Sequence, residues 1–174
     1  MRFSCRLSVA LALALAALAA WPVASAQVPQ VVGDASSLKG IASLELDVRL
    51  EANLISTGLT EEQVAGWIKA ALTAAGIKVC GKYGEPGAAD AKLLVTAVHQ
   101  LATGGERTKG CFAVYRLAVI QPVTVGRSGV KAEAPTWTLV AQADGQGGVF
   151  ADMEKSTFER HIATLVKAMK QANE

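Results

Sequence analysis

Two histidines and three cysteines are all that 174 residues supply of the side chains most used to hold metals or to run nucleophilic chemistry. The histidines, His99 and His161, lie far apart, and neither has a second ligand at a His-x-x-x-His or His-x-Glu spacing, so no local metal motif exists. An excess of one charge is also lacking: 17 basic residues face 15 acidic ones, and Arg2 and Arg6 fall in the first six positions. The rest of the chain is formally neutral and has no basic run, which excludes a nucleic-acid footprint. Gly126-Arg127-Ser128-Gly129 has no strand-to-helix turn around its serine and so is not a nucleophile elbow. Gly145-Gln146-Gly147-Gly148 leads toward a helix but lacks the lysine of a phosphate loop, and reads as a flexible turn. Glu45, Asp47 and Glu51 alternate as the wet face of a strand does, and Glu61-Glu62 suits the positive end of a helix, so paired-carboxylate chemistry has no distinct candidate. No cofactor and no catalytic residue is expected.

What is present begins with an address. Arg2 and Arg6 precede an apolar run from Leu7 to Ala20, and Ala24-Ser25-Ala26 closes it with small residues. This pattern predicts a signal peptide over residues 1–26, cleaved before Gln27. The run is too short for a membrane anchor, and no later segment reaches spanning length. Cys5 precedes the apolar run, where lipidation chemistry cannot use it. A periplasmic protein is expected, with release to the medium as the alternative. An exported chain meets an oxidising compartment, so Cys80 and Cys111 are expected to pair in a disulfide worth about 3–4 kcal/mol on the chain-entropy account. Without a Cys-x-x-Cys spacing the pair is structural rather than redox-active.

Residues 27–37 show no periodicity and read as a flexible lead-in, leaving 38–174 as one α+β domain. From Ala42 to Glu51 the alternation is clean, with Ala42, Leu44, Leu46, Val48 and Leu50 on one side, which predicts a strand with one solvated face. Thr60 and Gln63 form a capping box, Leu59 and Val64 sit at the staple positions, and Gly76-Ile77 supplies a left-handed stop; a helix over 61–75 follows. Trp67 lies beside its apolar stripe and is expected at the edge of the core. Strands are predicted at 77–80, 92–101, 111–125 and 136–143, with Pro122 marking a bulge or an edge. Phe158, Ile162, Leu165, Val166 and Met169 recur at helical spacing in a final helix, capped early by Asp152 or later by Ser156 with Glu159; His161 is placed on its exposed flank.

The expected order is β-α-β-β-β-β-α, satisfied by a two-layer α+β fold: a mostly antiparallel four- to five-stranded sheet with both helices on one face. In topology alone this order resembles small periplasmic α+β domains of envelope-assembly proteins, a resemblance that carries over no site residue. If Leu101 opposes Cys111, then Leu93, Val95, Ala97, Ala113, Tyr115, Leu117 and Val119 share the helix-facing side. Leu94, Val98, Phe112, Val114, Arg116 and Ile120 then share the other side, which two helices on one face cannot cover. That side is the candidate partner-binding face, and the strand carrying Trp137 is a candidate exposed edge. The basic residues of links 103–110 and 126–134 fall at opposite ends of a shared strand and form no anion site. The functional expectation is an exported, non-enzymatic module that binds an envelope protein or an apolar ligand through its sheet. A homodimeric structural or stress-related envelope protein is the alternative, and an enzyme with dispersed site residues ranks behind both.

Overall fold

The computed structural model describes residues 29–52, 58–83, 89–102, 110–146 and 150–174. The expected leader, the basic link at 103–109 and Gly147-Gly148 lie outside the described residues. The strands are β1 (Gln30–Val32), β2 (Ser43–Leu50), β3 (Lys78–Cys80), β4 (Ala91–Ala102), β5 (Gly110–Thr124) and β6 (Lys131–Gln146). A 3-10 helix (Ala35–Leu38) follows β1, α1 (Glu61–Ala74) joins β2 to β3, and α2 (Phe150–Asn173) ends the chain.

The strands form a six-stranded sheet in the order β1-β6-β5-β4-β2-β3. This corrects the expected four- to five-stranded, mostly antiparallel sheet. β2 is parallel to both of its neighbours, β3 and β4, whereas β4–β5, β5–β6 and β6–β1 are antiparallel. The α1 crossover returns the chain so that β3 lies parallel beside β2, and the next connection carries β4 to the other side of β2. Asp90 secures that second pairing: its carboxylate accepts the Ala42 and Ser43 backbone N–H groups at 2.9 and 2.8 Å and the Ser43 hydroxyl at 2.8 Å. The hydrogen bond from Ser43, with that from Ala42 next, holds the Asp90 carboxyl below its ordinary value.

The sixth strand comes from the segment read as a flexible lead-in. β1 pairs Gln30 with Val140 and Val32 with Thr138. Asp34 then caps the 3-10 helix by accepting the Ser36 N–H at 2.9 Å, and Leu38 is fully buried. Gly33, at φ +103°, permits the turn between them; a Cβ there would stand 2.3 Å from the Thr136 carbonyl oxygen. β6 is therefore interior to the sheet, and Trp137 is 1% exposed rather than on an open edge.

Both helices begin or end as local chemistry requires, with one exception. The Thr60–Gln63 box is formed in both directions, at 2.9 and 3.2 Å. At the other end of α1, Gly76 (φ +82°) donates to Thr73 O and Ile77 donates to Leu72 O, a complete Schellman closure. The exception is α2, which starts at Phe150, so Ser156 and Glu159 lie inside the helix and do not cap it. Val64, Ile68 and Leu72 of α1 and Phe158, Ile162, Leu165 and Met169 of α2 share one core with Leu93, Val95, Ala97, Ala113, Tyr115, Leu117, Val119, Trp137 and Leu139. Both helices thus pack on the same side of the sheet, and Trp67 packs at that core's margin.

The β4–β5 register is continuous, with Leu101 opposite Cys111. Beyond Ile120 there is no β4 partner, and between Val119 and Ile120 the β5–β6 register shifts because Thr136 is an extra residue on β6. Gln121–Thr124 and Lys131–Ala134 therefore continue as a two-stranded ribbon past the sheet. Pro122 sits on it, where its missing N–H costs no ladder bond to β4. Gly129, at φ +66°, turns the tip.

Candidate binding face

Alternation in β4, β5 and β6 assigns every residue of the candidate face to one side of the sheet. Thr96, Arg116 and Val140 stand on one rung, Leu94, Ala118 and Thr138 on the next, and Val98, Val114 and Gln142 on the rung beyond Arg116. Lys92 pairs with Ile120 at one end. Leu94, Val114 and Ile120 are half-buried, Val98 is 39% exposed and Arg116 is exposed. Phe112 occupies a register position on the same face, opposite Gln100, and its side chain is outside the described residues. Among the described residues no helix lies on this side. Ala118 is nonetheless 1% exposed, a short side chain enclosed by longer ones around it.

Sequence reasoning missed the flank of this face. Val140 of β6 and Val32 of β1 extend the apolar area past Arg116, and Val32 is 64% exposed. The alternation of β6 runs through 138, 140 and 142 and carried the signal for Val140; a three-residue β1 carried none. On the opposite flank, β2 contributes Glu45, Asp47 and Arg49. Arg49 and Asp47 form an ion pair at 2.8 Å along the strand. The guanidinium hydrogen bond from Arg49 holds the Asp47 carboxyl below its ordinary value, against a smaller opposing effect of burial. The face therefore grades from apolar over β4 to β6 into charged over β2.

The expected disulfide is not formed. Cys80 carries a free thiol. It is level with Glu45, Lys92 and Ile120 on successive strands, whereas Cys111 pairs with Leu101 at the other end of β5. At about 3.3 Å per residue and about 4.8 Å per strand the two backbones are roughly 30 Å apart, far beyond the ~7 Å that a disulfide spans.

His161 is not on an exposed flank. It is 3% exposed, its ring lies 5.6 Å from that of Tyr115, and Tyr115 in turn meets Phe158 edge-on at 5.2 Å. Its Nδ1 is buried with no hydrogen-bond partner. Burial, with a smaller push from the Arg160 charge, lowers its pKa to about 4. Among the described residues no three His, Cys, Asp or Glu side chains are grouped to hold a metal ion, and no helix is long and apolar enough to cross a membrane.

Fold and face together define an α+β protein with one sheet face covered by both helices and the other covered by no helix among the described residues. No protein-family model matches the chain, and no curated protein sequence does. Among solved structures, the PelC dodecamer from Paraburkholderia phytofirmans is similar over 82% of this chain and 96% of that one, at 13% identity and a TM-score of 0.49. A single-substitution PelC variant in a second crystal form gives 13% identity over 82% and 95%, with a TM-score of 0.46. A minor lipoprotein from Acinetobacter baumannii gives 16% identity over 75% and 88%, with a TM-score of 0.30. Likenesses of this size assign no function and no site residue to the chain.

Proposed function

We propose that this chain is an exported, periplasmic, non-enzymatic module that binds an envelope partner protein through the open face of its sheet. The observation that supports this reading is the half-exposed group Leu94, Val98, Val114 and Ile120, set around the exposed Arg116 on a side that no described helix covers. Apolar area of this kind in the middle of a sheet is expected to meet something. A mixed face suits a protein partner better than an acyl chain, because an acyl chain would desolvate Arg116 and the Asp47–Arg49 pair without compensation. An apolar ligand or a second copy of the chain would occupy the same residues and differ in mass.

The test is native mass spectrometry of the protein purified gently from its periplasm, alongside Val114→Lys and Ile120→Lys. Both substitutions point toward solvent in the free chain and leave the far-ultraviolet circular dichroism unchanged. Added mass in the wild type that both variants lose supports the reading, and that mass separates a partner from a small ligand or a dimer. Retention of the added mass by both variants refutes use of this face.

A further inference from the structure

The ribbon that β5 and β6 form beyond the sheet plays no part in the binding face, and its two sides differ. Cross-strand pairing puts Val123 opposite Ala132 and Thr124 opposite Lys131, and the turn adds Val125 opposite Val130, whose carbonyl accepts the Val125 N–H at 2.9 Å. By alternation Val123, Val125, Val130 and Ala132 share one side of the ribbon, while Pro122, Thr124, Lys131 and Glu133 share the other. Val125 is 45% exposed and Val130 57%, so the apolar side is uncovered at its outer end. Glu133 marks which way the polar side points. Burial first, and then the Glu133 charge, raise the Tyr83 phenol above its ordinary value, and the Tyr83 N–H donates to Glu45 of the open face at 2.7 Å. The valines therefore look away from the candidate binding face and make a separate surface.

The turn holds the two valines out with much of its own backbone already paired. Val125 O accepts the N–H groups of Ser128 and Gly129 at 3.1 and 2.8 Å, and the Ser128 hydroxyl accepts the Val130 N–H at 3.4 Å. Arg127 and Lys131 flank the valines; both are exposed, and neither is ion-paired among the described residues. From Thr124 to Ala132 no acidic residue interrupts them. Cations beside apolar groups suit both layers of a bilayer surface: hydrocarbon takes the valines, and anionic headgroups take the guanidinium and the ammonium.

We propose that the ribbon tip, Val125 to Lys131, docks the protein on an anionic lipid bilayer, with Val125 and Val130 at the acyl boundary and Arg127 and Lys131 among the headgroup phosphates. Charge complementarity selects anionic over neutral lipid. Area selects a bilayer over an acidic protein: a standard protein interface takes about 20–30 residues a side, and the tip has seven. A bilayer needs no matching shape from its partner. Two valines and two cations give a weak, reversible attachment, distinct from the partner binding proposed for the open face.

Sedimentation of the purified protein with vesicles tests this. The wild type is expected to co-sediment with phosphatidylcholine–phosphatidylglycerol vesicles, to be released by raised salt, and to ignore vesicles of phosphatidylcholine alone. Arg127→Gln with Lys131→Gln weakens binding about 30-fold, at about 5-fold per charge. Lys69→Gln with Lys78→Gln removes the same net charge from exposed sites elsewhere and leaves binding nearly unchanged. Val125→Thr with Val130→Thr keeps the β-branched shape and weakens binding about 10-fold. Val130→Trp binds more tightly, and its emission shifts to the blue on anionic vesicles. The substituted residues are exposed, and unchanged circular dichroism marks each variant as folded. The proposal is overturned if the wild type does not sediment with anionic vesicles or sediments equally with neutral ones. It is also overturned if either tip double variant binds as the wild type does, or if the Lys69–Lys78 pair matters as much as Arg127 and Lys131. Should a double variant misfold, Val130→Trp decides: no blue shift on anionic vesicles refutes docking by the tip.

Discussion

Asp90 offers the sharpest way to test whether the parallel half of the sheet is held as described. Its carboxylate accepts two backbone N–H groups and one hydroxyl where β2 begins, and its own N–H donates to Ser43 O at 3.1 Å. This is the arrangement of a helix N-cap transferred to the start of a strand pair. Asp90→Ala removes all three acceptor contacts, but the freed donors are near the surface and rehydrate, so the loss is that of a cap: about 1–2 kcal/mol. For a chain of this size that lowers Tm by about 3–6 °C. Asp90→Asn keeps an acceptor oxygen without the charge and should lose about half as much. Because the folded carboxyl sits below its ordinary value of 3.8, its contribution is present in full above that value and fades as pH falls through the lower folded one. The gap between wild type and Asp90→Ala should therefore be full at pH 7 and narrow below about pH 4. Urea unfolding followed by tryptophan fluorescence measures it. An Asp90→Ala variant as stable as the wild type at pH 7, or a gap indifferent to acid, refutes the reasoning.

His161 predicts acid sensitivity in a higher window. With a folded pKa of about 4 against 6.5 unfolded, the unfolded chain binds the extra proton between those values, so the protein loses about 3 kcal/mol of stability as pH falls from 6.5 to 4. His161→Leu should flatten that slope, and equal slopes by chemical denaturation would contradict the burial of a neutral imidazole. Gly33→Ala places a Cβ against Thr136 O at an unfavourable φ, so about 1–3 kcal/mol of strain should detach β1. Hydrogen exchange would then accelerate at residues 138–140 of β6 while β4 stays protected; unchanged protection would show that β1 does not need the glycine.

The features legible in the sequence were those whose signals are local. Thr60 and Gln63, Gly76 and Ile77, and the alternation from Ala42 to Leu50 each state their geometry within a few residues, and the Leu101–Cys111 register follows from alternation on both sides of one link. The misread features depend on distant partners. Gln30-Val31-Val32 is too short to show a period, and only β6 makes it a strand. The choice of β2 as parallel partner for both β3 and β4 has no local signature at all. Pro135-Thr136 hid the first third of β6, because the bulge resets which residues face inward. His161 stands three residues after Phe158 and four before Leu165, which is within the apolar stripe; its polarity and the neighbouring Arg160 disguised a core position. The candidate face was legible in β4 and β5, and its extension to Val140 and Val32 was not, since that required knowing what lies beside β5.

The pairing of β1 with β6 also sets an order of events. The first described strand finds its place only beside the last, Gln30 against Val140. Until β6 has joined the sheet, the α1 unit and the β4–β5 hairpin can form from contacts near in sequence, while β1 and the 3-10 helix that carries Leu38 have nothing to join. Closing that long separation is the slow, entropically costly step. In the interval β6 presents an uncapped edge next to Trp137, the moment at which an unfinished chain is most open to pairing with another copy of itself.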